Sequence, residues 1–411
     1  MHKVVRFPSK LNIFFSSLTS EFHWNHFEYF RTLVFLIVFS YERRNISALY
    51  RQLDGRNQHH RSRFNNFVHL SRWEAKEALE RKAYELLKSL RPEKGETVEL
   101  IIDDSKKKKT GKKMEAVAWI YDPVSGKKIS GHQYIKAIIH FRGYIIPFGI
   151  RLYVKKEECK NVEVEFEKTT QFAAGLIKRF NPPEGVKVKV LFDSYYLCPV
   201  VVKACRKKGF HFVSVLKNNR NLFKNGRKLK VKAYGRRLFR DKKKKTLYIS
   251  KAKGQVQYRY VDAGWMEVSK IGNAHVIYSR KKDDGKIIGL VTDDPKFSAE
   301  KMIQIYDKRW SIEVFFKDAK QLLGLGQYQN GSYQAAVTHL HLVCFAYALL
   351  THIAIKREGA KGKRKSASHL STGELQNELR RIVWDDLVDY LNQLPDGNSV
   401  VKELRRLLMA S

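Results

Sequence analysis

The first 90 residues show hydrophobic positions at helical spacing. Residues Phe27–Phe39 are almost all apolar and predict a buried helix, and the charged segment 72–90 predicts an amphipathic one. Between them, segment 45–55 starts with Asn and ends with Gly, two residues that commonly flank helices. Because Arg and His are frequent here, these helices form either a DNA-binding module of the helix-turn-helix kind or a helical cap on the main domain.

Shorter apolar runs, typical of strands, begin after a turn-rich boundary at 91–96. The run Val98–Asp104 ends in two carboxylates and has the composition of a buried central strand. Residues 132–154 predict two strands joined at Arg142-Gly143. A helix, a strand that finishes on Asp193, a second helix and a further strand complete the series. This order predicts an α/β fold with a mixed sheet.

The hydrophobic pattern of the chain changes after residue 217. Short alternating stretches separated by Gly, Lys and Asn predict a β-rich insertion over 218–292, and two amphipathic helices are predicted at the C-terminus. The Lys-rich segments 105–113 and 241–245 are predicted to be basic loops. The predicted division of the chain is a helical region (1–95), an α/β core (96–217 with 293–355), the insertion (218–292), and a basic linker with C-terminal helices (356–411).

Composition adds a strong indication of the partner. The 411-residue chain has a formal net charge of +38, which favours a polyanion, either nucleic acid or an anionic membrane surface. The segment 335–355 is long enough to cross a bilayer but contains three His, so we interpret it as a buried helix and expect no membrane association. The four Cys show no C-x-x-C spacing, and no signal pattern opens the chain, so we expect a cytoplasmic protein.

One predicted helix carries its polar residues in a narrow stripe. With Ser298 as a plausible N-cap, Tyr306, Arg309, Glu313 and Lys320 fall within about 60° of one another at 100° per residue. An apolar stripe lies directly beside them, the face that such a helix buries. The polar stripe is therefore expected to run along the edge of the core and to face a cleft.

Three groups of carboxylates lie far apart in the sequence, and each is predicted to lie at a strand end or on the polar stripe. Asp103 or Asp104 ends the first central strand, Asp193 ends another strand, and Glu313 lies on the polar stripe. Only one of Asp103 and Asp104 can face a given side, because neighbouring residues of a strand point in opposite directions. Acids that meet at strand ends repel one another unless a cation lies between them, and hard divalent cations prefer oxygen ligands.

The pattern Y-x-x-R-x-x-x-E-x-x-x-x-x-x-K, from Tyr306 to Lys320, resembles the signature of DDE transposases of bacterial and archaeal insertion sequences. That resemblance implies a ribonuclease H-like fold and makes Glu313 the third catalytic acid. "IIDDS" resembles the family's first motif and selects Asp103, with Asp104 as the alternative, and "FDSYY" resembles the second and selects Asp193.

The resemblance also implies an activity. The three acids would bind two Mg²⁺ or Mn²⁺ ions and catalyse cleavage and joining of DNA by phosphoryl transfer. Tyr306, Arg309 and Lys320 would bind DNA, and the partners would be double-stranded terminal inverted repeats and target DNA held by a homodimer. The protein would then associate with the nucleoid. A hydrolytic nuclease of the same fold and a catalytically inactive DNA-binding protein are the alternatives.

One position departs from the family pattern. In members that form DNA hairpins, an aromatic residue on the last strands of the insertion stacks on a flipped base, and the corresponding position here holds Ile288. Trp265, Tyr258 or Tyr260 could substitute for it, and each could equally be a core residue of the insertion.

Overall fold

The computed structural model describes residues 11–53, 59–71, 73–111, 113–122, 125–251, 254–282, 284–360 and 371–409. The end of the predicted helical segment 45–55 and most of the predicted basic linker after residue 356 lie outside these residues.

The helices are α1 (Asn12–Phe15), α2 (Trp24–Phe39), α3 (Ile46–Tyr50), α4 (Arg61–Leu70), α5 (Ala75–Ser89), α6 (Thr169–Arg179), α7 (Pro199–Lys207), α8 (Val231–Asp241), α9 (Ala299–Asp307), α10 (Trp310–Gln321), α11 (Tyr333–Ala360), α12 (Thr372–Leu391) and α13 (Gly397–Met409). The strands are β1 (Thr97–Lys108), β2 (Ala118–Asp122), β3 (Lys127–Phe141), β4 (Tyr144–Tyr153), β5 (Lys187–Phe192), β6 (His211–Val215), β7 (Asn221–Lys224), β8 (Arg227–Lys230), β9 (Lys245–Lys251), β10 (Gly254–Val268), β11 (Gly272–Lys281) and β12 (Ile287–Thr292).

Within the described residues, the strands form one mixed, mostly antiparallel sheet. The part that follows the predicted α/β core has the spatial order β4-β3-β1-β5-β6, in which β1, β5 and β6 run parallel. The apolar centres of β1 and β5 are buried, because helices cover both faces of parallel strands. This arrangement brings the carboxyl ends of β1 and β5 side by side.

Strand β1 is longer than its apolar run predicts. Its parallel pairing with β5 stops at Ile102, opposite Phe192, but its antiparallel pairing with β3 continues to Lys108. The prediction that the strand ends on its two carboxylates and opens into a basic loop was therefore wrong for residues 105–108. The long β3 supplies backbone partners that the side-chain pattern of β1 does not reveal.

The insertion continues the same sheet. Strand β12 pairs with β6, with Leu290 opposite Val215, and β11 and β10 follow outwards. The entry and exit of the insertion are therefore adjacent strands. It also contains α8, which the sequence did not predict. This helix packs its buried Val231, Tyr234 and Leu238 towards the sheet.

The N-terminal helices pack on α11, a long and mostly buried helix. Phe30 of α2 and Phe345 of α11, for example, meet edge to face with ring centroids 5.0 Å apart. The stretch Tyr333–Gly359 is long and apolar enough to cross a membrane, but 94% of its most hydrophobic window is buried inside the protein. It has the character of a core helix. Whether the N-terminal helices bind DNA stays a prediction.

The predicted helix that carries the polar stripe is broken in two. Ser298 caps α9 as predicted, accepting a hydrogen bond from the Lys301 amide at 3.2 Å. Between α9 and α10, however, backbone amides bond to carbonyls three residues back, including Arg309 to Tyr306 at 2.9 Å. This tighter 3₁₀-type turn places Lys308 and Arg309 at the junction of the two helices.

Candidate active site

Two of the candidate acids lie at the carboxyl ends of adjacent parallel strands. Asp103 follows the last β1 residue that pairs with β5, and Asp193 follows the last residue of β5. The Asp193 carboxylate accepts hydrogen bonds from the amides of Tyr195 at 2.9 Å and Tyr196 at 3.3 Å. This local turn, of the kind that Asp favours, fixes the direction of the carboxylate.

Arg309 joins the first acid to the third. Its Nη1 donates to Asp103 Oδ2 at 2.9 Å, and its Nη2 donates to Glu313 Oε1. The guanidinium group is only 17% exposed and lies 5.8 Å from the centre of the Tyr306 ring. Residues from β1 and from the junction of α9 and α10 therefore meet at one point, although they are more than 200 positions apart in the sequence.

Lys320, the last residue of the polar stripe, also contacts β1. Its Nζ donates to Ser105 Oγ at 2.6 Å. Asp103 and Ser105 lie two residues apart and therefore on the same face of β1, so this face receives both cations of the stripe. Burial lowers the pKa of Lys320, and the nearby ammonium of Lys107 lowers it further.

Asp104 is held differently from Asp103. Its carboxylate accepts from Gln133 Nε2 at 2.8 Å and from Lys106 Nζ at 3.1 Å. Asp103, in contrast, shares Arg309 with Glu313. This geometry favours Asp103 as the acid that acts together with Glu313, and the catalytic role of either residue stays a prediction.

The acids at the strand ends are destabilised in their charged form. Burial raises the pKa of Asp103 to about 7; Arg309 opposes the increase, and Asp193 and Asp104 add to it. Burial also raises the pKa of Asp193, with a further contribution from Asp104. One guanidinium group does not neutralise this cluster of carboxylates, so the site attracts further positive charge.

These donors match a divalent cation in kind. Carboxylate oxygens are the ligands that Mg²⁺ and Mn²⁺ prefer, and the raised pKa of Asp103 is what a buried acid shows when it lacks a sufficient counter-charge. Among the residues that the structure describes, no three His, Cys, Asp or Glu side chains are grouped closely enough to ligate one ion. Arg309 contacts Asp103 and Glu313, and it must release them before both can ligate the same cation.

A buried ion network beside the site was missed by the sequence analysis. Glu99, fully buried on β1, accepts from His140 Nδ1 at 2.8 Å and from Lys308 Nζ at 2.6 Å. Burial alone would raise the pKa of Glu99, but His140 and Lys308 outweigh it and the pKa is lowered. The available signal was a Glu inside the apolar run "VELII". Lys308 precedes Arg309, so this network anchors the junction of α9 and α10 to β1.

A cavity of about 460 Å³ opens between the insertion and the two helices. Ile288 and Tyr258 line it together with Tyr306, Arg309 and the exposed Trp310. Two of the aromatic residues proposed to replace Ile288 have other environments: Trp265 stacks on His275 at 5.7 Å, and Tyr260 is buried and bonded to Glu300. Tyr258 is the proposed substitute that lines the cavity, and Trp310 is an aromatic residue that the sequence analysis overlooked.

The fold and the site define an α/β protein with carboxylates at the ends of adjacent parallel strands and a third acid on a later helix. Residues 167–349 match the family model described as Transposase DDE domain. The match covers less than half of the chain, contains Asp193 and Glu313 and begins after Asp103. It supports a DDE-type transposase, an enzyme that cleaves DNA. No curated protein matches the chain.

Proposed function

We propose that the protein is a transposase of the insertion-sequence type, with a ribonuclease H-like catalytic core, that cleaves and joins DNA at the ends of a mobile element. The observation that carries the proposal is the shared contact of Arg309 with Asp103 and Glu313, which unites acids from β1 and α10. The order β4-β3-β1-β5-β6 with parallel β1 and β5 supports the fold assignment.

In this proposal Asp103, Asp193 and Glu313 hold two divalent cations, Mg²⁺ or Mn²⁺. When bound, such ions activate an attacking oxygen and stabilise the leaving oxygen of an in-line phosphoryl displacement. The three acids are separated along the chain but are carried by packed elements, and Arg309 releases Asp103 and Glu313 when the ions bind.

The remaining stripe residues bind the substrate. Arg309 and Lys320 lie beside the acids and neutralise phosphates of the DNA backbone. Arg309 is suited to this role because its planar guanidinium group can contact two phosphate oxygens at once. Burial raises the pKa of Tyr306 to about 12, so its hydroxyl stays protonated and can donate to a phosphate oxygen.

The wider assembly follows from the reaction. Joining needs two DNA ends in one complex, so the active form is a homodimer bound to paired terminal inverted repeats and target DNA. The net charge of +38 supports DNA as the partner, and it also supports association with the nucleoid inside the cytoplasm.

The decisive experiment is strand cleavage and joining on labelled DNA that carries the element end, with Mg²⁺ or Mn²⁺ against EDTA. Asp103→Asn, Asp193→Asn and Glu313→Gln should each abolish both reactions and retain DNA binding. Asp318→Asn on the same helix is a matched control, because that carboxylate bonds to Thr372 and not to the site. Activity retained by Glu313→Gln would reject the proposal.

The same assay tests the two alternatives. A hydrolytic nuclease would give cleaved strands without joined products. An inactive DNA-binding protein would bind element ends equally well with and without divalent cations and would give neither product. The compact arrangement of Asp103, Arg309 and Glu313 favours an active enzyme over an inactive one.

A further inference from the structure

The hairpin formed by β2 and the first residues of β3 presents two exposed aromatic rings. Trp119 is 66% exposed and Tyr121 is 59% exposed, whereas Ile120 between them is buried. Both rings therefore point away from the core on the same face of β2, with backbone positions about 7 Å apart. The hairpin precedes the residues that match the family model and contains none of the candidate site residues.

This aromatic pair faces the same side of the sheet as the candidate active site. Cross-strand partners share a face, and so do residues an even number of positions apart on one strand. Trp119 is opposite Ser130 on β3, and Lys136, six residues further along β3, is opposite Asp103 on β1. No register shift interrupts either pairing. In a flat sheet Trp119 would lie about 20 Å from Asp103.

Positive charge lies beside the aromatic pair and on the strand that leads from it to the site. Lys128 is directly opposite Tyr121 on β3, and Lys107 is two residues beyond Ser105 on the same face of β1. The hairpin is also electrostatically coupled to the site. Lys107 lowers the pKa of Lys320 and Asp122 of the hairpin raises it, although burial has the largest effect. Lys107 and Lys128 thus place positive charge near the aromatic rings, whereas His132, between them on this face of β3, is buried against Tyr328 and the Glu115 backbone.

We propose that the β2–β3 hairpin binds unpaired nucleotides of the DNA strand that adjoins the active site. Trp119 and Tyr121 stack on bases, and Lys107 and Lys128 neutralise the phosphates between them. The inference rests on the proposed function, which requires the protein to bind DNA. It adds the place on the protein where an unpaired strand binds.

Three properties favour an unpaired strand over a duplex. The flat faces of exposed Trp and Tyr are open to stacking, which every base can provide regardless of sequence. Bases inside a duplex are already stacked and cannot offer their faces to a ring without being pulled apart. Aromatic rings with basic side chains on the same sheet face are typical of surfaces that bind single strands.

The test measures binding without catalysis. Full-length protein in EDTA is titrated against a fluorescent random-sequence duplex, either blunt or extended by a single-stranded oligothymidine tail, at one fixed salt concentration. Trp119→Ala and Tyr121→Ala should each weaken binding of the tailed duplex by about tenfold, with little change for the blunt one. Tyr121→Phe should keep the tail preference, because the ring and its stacking face remain.

Trp384→Ala is the matched control. This residue is also an exposed Trp, on α12, but Asp385 and Asp386 follow it, so it is unsuited to contact DNA. It should bind both probes as the unmodified protein does. All the substituted side chains are exposed, and a melting curve for each variant verifies that the fold is retained.

Each outcome decides the inference. A tail preference that disappears in Trp119→Ala and Tyr121→Ala supports it. Equal binding of both probes by the unmodified protein overturns it, and so does equal weakening of both probes by the variants, which would indicate duplex contact. The proposed function is judged separately, because cleavage could fail while tail binding persists, or succeed while tail binding is absent.

Discussion

The buried network of Glu99, His140 and Lys308 provides the sharpest test of how the chain positions Arg309. Glu99→Gln keeps the size of the side chain but removes the charge that the Lys308 ammonium and the His140 imidazole contact. A hydrogen bond to a charged group contributes about 1.5–3 kcal/mol. The Lys308 contribution must be reduced because its side chain is 40% exposed and can be hydrated again.

The expected loss in the free energy of unfolding is therefore about 2–4 kcal/mol. For a chain of this size this corresponds to a decrease in Tm of about 2–5 °C. Because Lys308 and Arg309 share the junction of α9 and α10, the DNA cleavage rate should fall by about tenfold even well below the Tm of the variant.

Thermal unfolding and cleavage of end-containing DNA are measured on Glu99→Gln, on Lys308→Met and on the double variant. The two effects on stability should be less than additive, because both substitutions break the same contact. Glu42→Gln is the control, since its carboxylate forms an exposed ion pair with Arg51 and its loss should cost less than about 1 kcal/mol. Full cleavage activity in a destabilised Glu99→Gln would show that the network stabilises the fold without positioning Arg309.

Two further predictions concern stability. Burial lowers the pKa of His132, His339 and His341 to about 4, below the ordinary value of 6.5. Burying these neutral imidazoles therefore costs no stability above pH 6.5, and the free energy of unfolding decreases as the pH falls from 6.5 towards 4. Each should cost about 2 kcal/mol at pH 5, and an unchanged Tm between pH 7 and pH 5 would contradict this. In Gly235→Ala the added Cβ would lie 2.5 Å from a Tyr ring on β11, so stability should fall by about 1–3 kcal/mol. Gly175→Ala, in the middle of α6 with only an Arg side chain at 3.3 Å, should instead leave stability unchanged or raise it by up to about 1 kcal/mol.

The sequence predicted the features that depend on local pattern. The apolar centres of β1 and β5, the hairpin turn at Arg142-Gly143 and the Ser298 cap are encoded by neighbouring residues, and the structure has them. The spacing of the polar stripe brought Arg309 and Glu313 to the same side of a helix, and the structure connects them.

Features that depend on tertiary partners were not predictable in the same way. Strand β1 extends through a Lys-rich segment because β3 lies beside it, and nothing in "SKKK" itself indicates a strand. The break between α9 and α10 follows from the contacts of Lys308 and Arg309 with β1, whereas the sequence there is compatible with a continuous helix. Helix α8 lies inside a segment in which the other elements of the described residues are strands, so the alternating pattern around it gave no indication of a helix.

The pairing of β6 with β12 determines how this fold tolerates change in the insertion. With Val215 opposite Leu290, the chain leaves and re-enters the core at neighbouring backbone positions. The pairing of β6 with β12 therefore holds the two ends of the intervening segment together, whatever its length. Strands β9 and β10 contact α9 through Lys251, Tyr258 and Tyr260 and have to be kept. Lengthening the turn between β7 and β8, at Asn225-Gly226, should instead leave the approach to α9 unaltered. A reporter tag or a foreign binding domain could therefore be spliced in there, giving the enzyme a new target preference without redesigning its chemistry.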